Sequence, residues 1–293
     1  MHKMKEDPYN LRLVWDAILE VYKHFVEICK KHGLRHYVVD GNAIGAVRHG
    51  GFIPWDDDFD VAMPRGDYEK FLSLVENELP NGFRLVTWRN TPEFNMVSAK
   101  IQMADRNTVE KIEAKVRRVL SNGIFIDIFP IDGAPSSTVK WWIGSIWYAV
   151  LQCLLRFHND KYGHQSRKGK FVWIAGMLMS PFLFWLWSHD AICRNLDKLQ
   201  RKYDFAKTDF YDSSAFLSGL TRRRRHKSSV WGRPQMVKYE SIEVPLPERY
   251  KEYLSFWYGD YMQLPPEAKR HPPHQYAWRC PWWLGPTAAS DSY

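Results

Sequence analysis

Residues 51–60 of this chain read GFIPWDDDFD, and this stretch says most about its fold and chemistry. It places four carboxylates within five positions: Asp56, Asp57, Asp58 and Asp60. On a β-strand alternate side chains share a face, so Asp58 and Asp60 would project together while Phe59 points into the core. Carboxylates this close repel one another and raise each other's pKa unless a cation lies between them. The stretch therefore predicts a site for a hard divalent cation, Mg²⁺ before Mn²⁺ or Ca²⁺.

A solvated turn and a calcium-binding EF-hand loop are the two alternatives for the acidic stretch. The alternation of aspartates with apolar residues argues against a solvated turn. An EF-hand loop starting at Asp56 would place Val61 where glycine is needed and Asp67 where glutamate is usual. The EF-hand is therefore excluded.

The composition is that of a globular protein with one large domain or two small ones, because the chain has 293 residues and 15% aromatics. A net charge of +8 favours an anionic substrate, an anionic membrane surface, or both. Zinc-finger, RNP and basic-zipper signatures are absent from the sequence, so nucleic acid is not a predicted partner.

The four cysteines form no CxxC pair, which indicates neither a disulfide framework nor a zinc site. They are Cys29, Cys153, Cys193 and Cys280. The first residues lack the apolar core of a signal peptide. These features predict buried or incidental thiols and a cytoplasmic protein.

Helical and strand patterns alternate along the first half of the chain. They predict an amphipathic helix ending near Gly33, a strand at 36–39, a helix at 43–47, a helix after Pro64, strands at 84–88 and 96–103, a helix at 108–120, and an apolar strand at 124–130. The last strand contains Asp127, which is costly to bury unless it is paired or metal-bound. An aspartate that only caps a turn is the alternative, and it suits Asp132 better.

Two segments, 141–155 and 171–187, carry no formal charge and are separated by a basic linker. Each is shorter than the roughly 20 apolar residues of a membrane-spanning helix. Three interpretations stay open: a hairpin in the membrane interface, two buried helices, or two spans. Tryptophans and flanking basic residues favour the interface. The basic run at 222–227 is either a solvated loop or a contact for lipid head groups or substrate phosphates.

Several ordered motifs resemble the LicD family of phosphocholine transferases, relatives of the fukutin-type phosphosugar transferases. They are DGNAIGAVRH at 40–49 leading into 51–60, the block 124–133, and YKEYL, YGDYM and LPPE at 250–254, 258–262 and 264–267. The resemblance covers roughly residues 35–270. It implies an α+β, nucleotidyltransferase-like fold, a small mixed sheet flanked by helices with a mainly helical C-terminal part. The implied division is 1–34 N-terminal helix, 35–135 catalytic core, 136–270 helical region with the apolar hairpin, and 271–293 tail.

The resemblance also implies metal-binding carboxylates on neighbouring strands. They are Asp58 and Asp60 on one strand and Asp127 on the next. Asp56 aligns with a further acidic position and is a candidate general base or member of the metal shell, whereas Asp57 looks dispensable. Independently of the family, three converging carboxylates beside a glycine-containing turn suit Mg²⁺-dependent phosphoryl chemistry, with Mn²⁺ as an alternative ion.

Four further residues are candidates for substrate binding. Gly41 would let the backbone approach phosphates, and Arg48 and Lys100 are basic residues within apolar segments near the motifs. The fourth is Asn42, which stands where the family usually has threonine or serine, so the role of that hydroxyl is in question.

The implied reaction transfers a phospho-alcohol, phosphocholine first of all, from a CDP-activated donor to a hydroxyl of a cell-surface glycan or its lipid-linked precursor, such as lipopolysaccharide or teichoic acid. The expected setting is the inner face of the cytoplasmic membrane, where the protein would be peripheral. Two alternatives remain open: a glycosyltransferase whose Asp-x-Asp motif binds a nucleotide-sugar, and an inactive scaffold of the same fold.

Overall fold

The computed structural model describes residues 9–91, 94, 96–116, 123–160, 188–212 and 225–272. Within these residues helices and strands form a mixed α+β fold, which confirms the predicted fold class. The helices are α1 Arg12–His32, α2 Asp40–His49, α3 Arg65–Glu78, α4 Arg106–Val116, α5 Thr138–Asp160, α6 His189–Gln200 and α7 Tyr250–Tyr258. The strands are β1 Tyr37–Val38, β2 Asp60–Pro64, β3 Phe83–Thr87, β4 Ala99–Met103, β5 Phe125–Ala134, β6 Phe210–Asp212, β7 Arg225–Lys227, β8 Gln235–Tyr239 and β9 Ile242–Leu246.

The chain forms two compact units that interleave along the sequence. The first comprises residues 1–85, 100–130 and 229–293, and the second comprises 86–99 and 131–228. The division into consecutive segments that the sequence suggested stays a prediction. The region predicted as mainly helical also contains the short strands β6 to β9.

The sheet of the first unit is built around β5, the most apolar strand of the sequence. The strands follow the order β1-β2-β5-β4-β3, and every residue of β5 is buried. The amide of Asp127 in β5 donates to the carbonyl of Phe59, 2.8 Å away, just before β2 begins. A strand buried on both faces requires a continuous apolar run, which is why residues 124–130 could be assigned from sequence.

Helix α1 supplies one face of the core because its apolar residues recur at helical spacing. Those residues are Val14, Trp15, Ala17, Ile18, Val21, Tyr22, Phe25, Ile28 and Cys29, all buried. Helices α3 and α4 both pack against α1. The predicted helix after Pro64 is α3, and the predicted helix at 108–120 corresponds to α4, up to Val116 in the described residues.

The segment around Pro245 is part of the β8–β9 hairpin. Pro245 lies opposite Met236 in this antiparallel pair. In the turn between the strands, the amide of Glu240 donates to the Gly50 carbonyl at 2.9 Å. The Glu240 carboxylate accepts from the amide of Phe52 at 3.2 Å. The hairpin therefore holds the loop that leads into the acidic stretch, and its position could not be read from local sequence.

The second unit pairs β6 with the end of β5 and β7 with β6, both antiparallel. Residues Arg225–Lys227 form β7, so this part of the basic run is a strand and not a solvated loop. Arg222, Arg223 and Arg224 lie outside the described residues. The Arg225 guanidinium donates to the carbonyls of Pro135 and Ser136, the second at 2.8 Å, and to the Thr138 hydroxyl at 2.8 Å.

The uncharged segment 141–155 lies within α5, whereas 171–187 lies outside the described residues, so the three hairpin interpretations stay open. In the described part of the chain, no helix is both long and apolar enough to cross a membrane. Cys29 and Cys193 are buried and Cys153 is half-buried, all as free thiols, while Cys280 falls outside the described residues.

Gly45 of α2 packs closely against the loop that leads into the acidic stretch. A Cβ at position 45 would lie 2.4 Å from the Gly51 carbonyl oxygen. We expect Gly45→Ala to lower the free energy of unfolding by about 1–3 kcal/mol, since the backbone must move to accommodate the methyl group. Urea unfolding followed by circular dichroism measures the change.

Gly66→Ala in α3 is the matched control, because a Cβ there meets nothing within 4 Å. It should be neutral or slightly stabilising, as alanine replaces glycine in a helix. Equal losses for the two variants would contradict the assigned contact.

Candidate active site

The acidic stretch is anchored by its aromatic residues. Phe52 and Phe59 are fully buried against Tyr239, with ring centroids 5.1 and 5.5 Å apart. Phe52 also stacks on Trp15 at 5.2 Å, and Phe59 contacts Tyr22 at 4.6 Å. The apolar positions of the motif thus enter the core of the first unit and anchor the segment that carries the aspartates.

The strand in this region starts later than predicted. Strand β2 begins at Asp60, so Asp58 lies in the irregular segment before it and not on the same strand. The prediction that Asp127 lies on the neighbouring strand is confirmed, because β5 adjoins β2. Because this segment is not part of a strand, other hydrogen bonds must fix its backbone.

Asn42 supplies that support. Its side-chain oxygen accepts from the amide of Asp60 at 2.7 Å, and its side-chain nitrogen donates to the carbonyl of Asp58 at 3.1 Å. The same nitrogen lies 3.3 Å from the Tyr239 hydroxyl. Asn42 is 1% exposed. Its amide therefore fixes the backbone on both sides of Phe59, which is a positioning role, and its predicted contact with substrate stays a prediction.

Asp56 is held from two sides. The indole nitrogen of Trp15 donates to its carbonyl oxygen at 2.7 Å. A Cβ on Gly41 would lie 2.7 Å from its carboxylate oxygen Oδ2, so the absence of a side chain at position 41 makes room for this carboxylate. Gly41 thus adjoins the acidic site, and its predicted approach to phosphates stays a prediction.

Asp127 is buried, and its two oxygens differ. Oδ2 accepts from the Lys100 ammonium at 2.8 Å, whereas Oδ1 is buried without a hydrogen-bond partner. The Lys100 ammonium also lies 3.5 Å from the centre of the Phe125 ring. Lys100, a candidate phosphate ligand, is therefore paired with a site carboxylate. An unpartnered buried carboxylate oxygen is costly and marks a place where a cation or donor is expected.

Asp40 is a further member of the site that sequence reasoning missed. Its oxygen Oδ1 accepts from the hydroxyls of Tyr253 and Tyr258, both at 2.8 Å. Asp40 also has a φ of +49°, a strained value for a residue with a side chain. The tyrosines follow Asp40 by more than 200 positions, so only the LicD-like motif at 250–262 gave a signal.

Electrostatic crowding joins these carboxylates into one cluster. Burial raises the pKa of Asp60 well above its ordinary value, and repulsion from Asp58, Asp127, Asp40 and Asp56 raises it further. Burial and the neighbouring Asp58 likewise raise the pKa of Asp56. The five carboxylates that interact are Asp40, Asp56, Asp58, Asp60 and Asp127.

Arg48 lies at the end of α2 and binds the C-terminal part of the first unit. Its guanidinium donates to the carbonyls of Tyr261 at 2.7 Å and Gln263 at 3.1 Å. Burial and the neighbouring Arg270 lower its pKa. These contacts tie α2 to the YGDYM motif, and the predicted contact of Arg48 with phosphate stays a prediction.

The donor set of the cluster fits a hard divalent cation. All its ligand atoms are carboxylate oxygens, which Mg²⁺ prefers, and one of them is the unpartnered Oδ1 of Asp127. As the side chains stand, no three His, Cys, Asp or Glu residues in the described part of the chain already have the spacing of a metal site. Asp58, Asp60 and Asp127 therefore stay predicted ligands.

Residues 33–150 match the family model described as LicD/FKTN/FKRP, nucleotidyltransferase domain. The chain is 29% identical over 262 residues to the lipopolysaccharide cholinephosphotransferase LicD of Haemophilus influenzae, covering 87% of this chain and 92% of that protein. Uncharacterised proteins of Rickettsia typhi and Rickettsia prowazekii match shorter stretches, with 29% identity over 69 residues and 33% over 51 residues. These cover 24% and 17% of this chain, and 22% and 19% of the two relatives.

The α+β fold is consistent with the nucleotidyltransferase-like class. Within that class, residues 33–150 are similar to the LicD family. The glycosyltransferase alternative requires an extended doubly wound sheet before the acidic motif. Within residues 9–55 of the described chain, only the two-residue strand β1 precedes that motif.

The raised pKa of Asp60 predicts how stability depends on pH without metal. Between the ordinary value near 3.8 and the higher folded-state pKa, the folded chain keeps a proton that the unfolded chain releases. Stability therefore falls as pH rises through this window. We expect Asp60→Asn to raise the unfolding midpoint at neutral pH in EDTA, with a gain that shrinks toward pH 4.

Asp16→Asn is the control for that measurement, because Asp16 is an exposed aspartate of α1. It should leave the midpoint nearly unchanged at both pH values. A lower midpoint for Asp60→Asn at neutral pH would show that repulsion within the cluster does not destabilise the folded chain.

Proposed function

We propose that this chain transfers phosphocholine from CDP-choline to a hydroxyl of a cell-surface glycan or its lipid-linked precursor. The observation that carries the proposal is the similarity over 92% of the Haemophilus cholinephosphotransferase, together with the cluster of carboxylates in this chain. The acceptor is inferred from that relative's name, which specifies lipopolysaccharide. Peripheral association with the inner face of the cytoplasmic membrane is part of the same proposal, since a lipid-linked acceptor is presented there.

The reaction exchanges the phosphoanhydride bond of the donor for a new phosphoester bond to the acceptor. The acceptor hydroxyl oxygen attacks the phosphorus that carries choline, the bond from that phosphorus to the CMP phosphate breaks, and CMP leaves with the bridging oxygen. The acceptor proton goes to a base of the protein. The net products are a phosphocholine-substituted glycan and CMP.

Asp56 is the residue that we assign as the general base. Burial and Asp58 raise the pKa of Asp56, which makes it a better proton acceptor near neutral pH than an exposed aspartate. Its backbone is fixed by the Trp15 indole, so the carboxylate has a defined direction. Asp56 is 9% exposed, which limits competition from water.

Asp58, Asp60 and Asp127 would hold Mg²⁺, or Mn²⁺ in its place. When bound, the ion would neutralise charge on the donor pyrophosphate and on the departing CMP. Lys100 holds Oδ2 of Asp127, which orients this carboxylate and leaves Oδ1 as the atom available for the ion. Asn42 orients the backbone that carries Asp58 and Asp60.

The first test measures CMP release from CDP-choline, CDP-ethanolamine and CDP-ribitol with a purified lipopolysaccharide acceptor, with and without Mg²⁺. We expect Mg²⁺-dependent release with CDP-choline, and a fall of about 10²–10⁴-fold in kcat for Asp56→Asn, the range for loss of a general base. Asp57→Asn is the matched control from the same run of aspartates, and it should retain most of the activity.

Three outcomes would overturn parts of the proposal. UDP release from UDP-glucose without CMP release would support the glycosyltransferase alternative. Mg²⁺-dependent thermal stabilisation by CDP-choline without turnover would support an inactive scaffold. Preference for CDP-ethanolamine or CDP-ribitol would replace the donor while keeping the reaction.

A further inference from the structure

Helix α5 has an apolar face that is exposed. Its residues are Val139, Trp142, Ile143, Ile146, Trp147 and Val150, each 41–67% exposed. They recur at spacings of three and four, so they lie on one side of the helix. We call this set the exposed face of α5. A contiguous apolar face of this kind marks an interaction surface.

The opposite side of α5 already has a partner within its unit. Tyr148, Ala149, Leu151 and Leu155 are at most 8% exposed, and α5 packs against α6. The helix therefore has two apolar sides, one of which the core of the second unit uses. The exposed face is consequently not required for the packing of α5 against α6.

Two features of this face match a lipid interface. From Val139 to Val150 it extends for about 16 Å along the helix, which suits a helix lying in the interface and not one crossing a hydrocarbon core of about 30 Å. Its two tryptophans are the side chains that prefer the boundary between head groups and acyl chains.

Positive charge lies beside the N-terminal end of this face. Lys140 is exposed next to Val139. Arg225 holds the start of α5 through the Pro135 and Ser136 carbonyls and the Thr138 hydroxyl. In the sequence, Arg225 is the fourth arginine of the run at 222–227. Basic residues beside an apolar helix face are the charge pattern that anionic head groups attract.

We propose that the exposed face of α5 docks on an anionic lipid bilayer, with the basic residues at its N-terminal end against the head groups. The exposed face of α5 would attach the protein to the membrane. The purpose of this attachment, to present a lipid-linked acceptor, rests on the proposed function. Binding itself needs neither the donor nor the carboxylate site.

The test is co-sedimentation with phosphatidylcholine vesicles, with and without added phosphatidylglycerol, at low and high salt. The full chain should bind the phosphatidylglycerol vesicles, and binding should weaken without the anionic lipid and in high salt. The double variant Ile143→Glu, Ile146→Glu should bind at least about tenfold more weakly, because each glutamate must be buried or displace the face from the interface.

Met236→Glu is the matched control. Met236 is 56% exposed on β8, and Met236→Glu is compared with the single variant Ile143→Glu, because both place one glutamate at a similarly accessible apolar position. Its vesicle binding should match that of the parent. Equal loss in the control and the α5 variant would show that added charge alone weakens binding, which would overturn the proposal.

Two other possible occupants of the exposed face of α5 would give different results in these experiments. A concentration-dependent dimer that the double variant abolishes, without vesicle binding by the parent, would assign the face to a second copy of the chain. A marked loss of thermal stability in the double variant, again without vesicle binding, would assign it to a segment of the same chain such as 171–187. Each outcome overturns membrane docking.

CMP release measured with a water-soluble acceptor separates this inference from the proposed function. Turnover without vesicle binding overturns only the membrane surface. Vesicle binding that depends on α5, without turnover on any CDP-alcohol, overturns only the proposed reaction.

Discussion

The concentration of five carboxylates around the start of β5 is the constraint on which the first unit depends. Burial and mutual repulsion raise the pKa values of Asp56 and Asp60, so the folded chain carries an electrostatic cost there. Such an arrangement persists only if the surrounding structure leaves the aspartates no alternative position. Much of what packs around residues 51–60 serves this purpose, which is why distant parts of the chain converge on one short stretch.

Those supports act on the backbone as well as on the carboxylates. Asn42 bonds the main chain of Asp58 and Asp60, Trp15 bonds that of Asp56, and Glu240 binds the amide of Phe52. These contacts use backbone atoms of the acidic stretch, and Oδ1 of Asp127 is a carboxylate oxygen of the cluster left without a partner. A site that binds ions or phosphates needs this division, because side chains used for internal hydrogen bonds are not available to a ligand.

The parts of the site that could be predicted are those that a local sequence pattern identifies. The apolar run at 124–130 identified β5, and its single aspartate identified Asp127, because a charge buried in an apolar strand requires a compensating partner. Local pattern does not identify Asp40, because its partners Tyr253 and Tyr258 are distant in sequence, and neither periodicity nor composition reports such a contact. For the same reason local pattern does not reveal that the turn of the β8–β9 hairpin contacts Gly50, or that Asn42 supports the backbone of Asp58 and Asp60.

The balance of charge at the carboxylate site constrains how the proposed donor can bind. The donor is a pyrophosphate, and it would have to approach a cluster of carboxylates whose neighbouring cation, Lys100, is already paired with Asp127. Arg48 is likewise engaged with the carbonyls of Tyr261 and Gln263. The chain's net charge of +8 therefore does not by itself make this site attractive to an anion. Under the proposed function, donor binding must bring a cation with it, so the affinity for CDP-choline and the occupancy of the carboxylate site are thermodynamically linked.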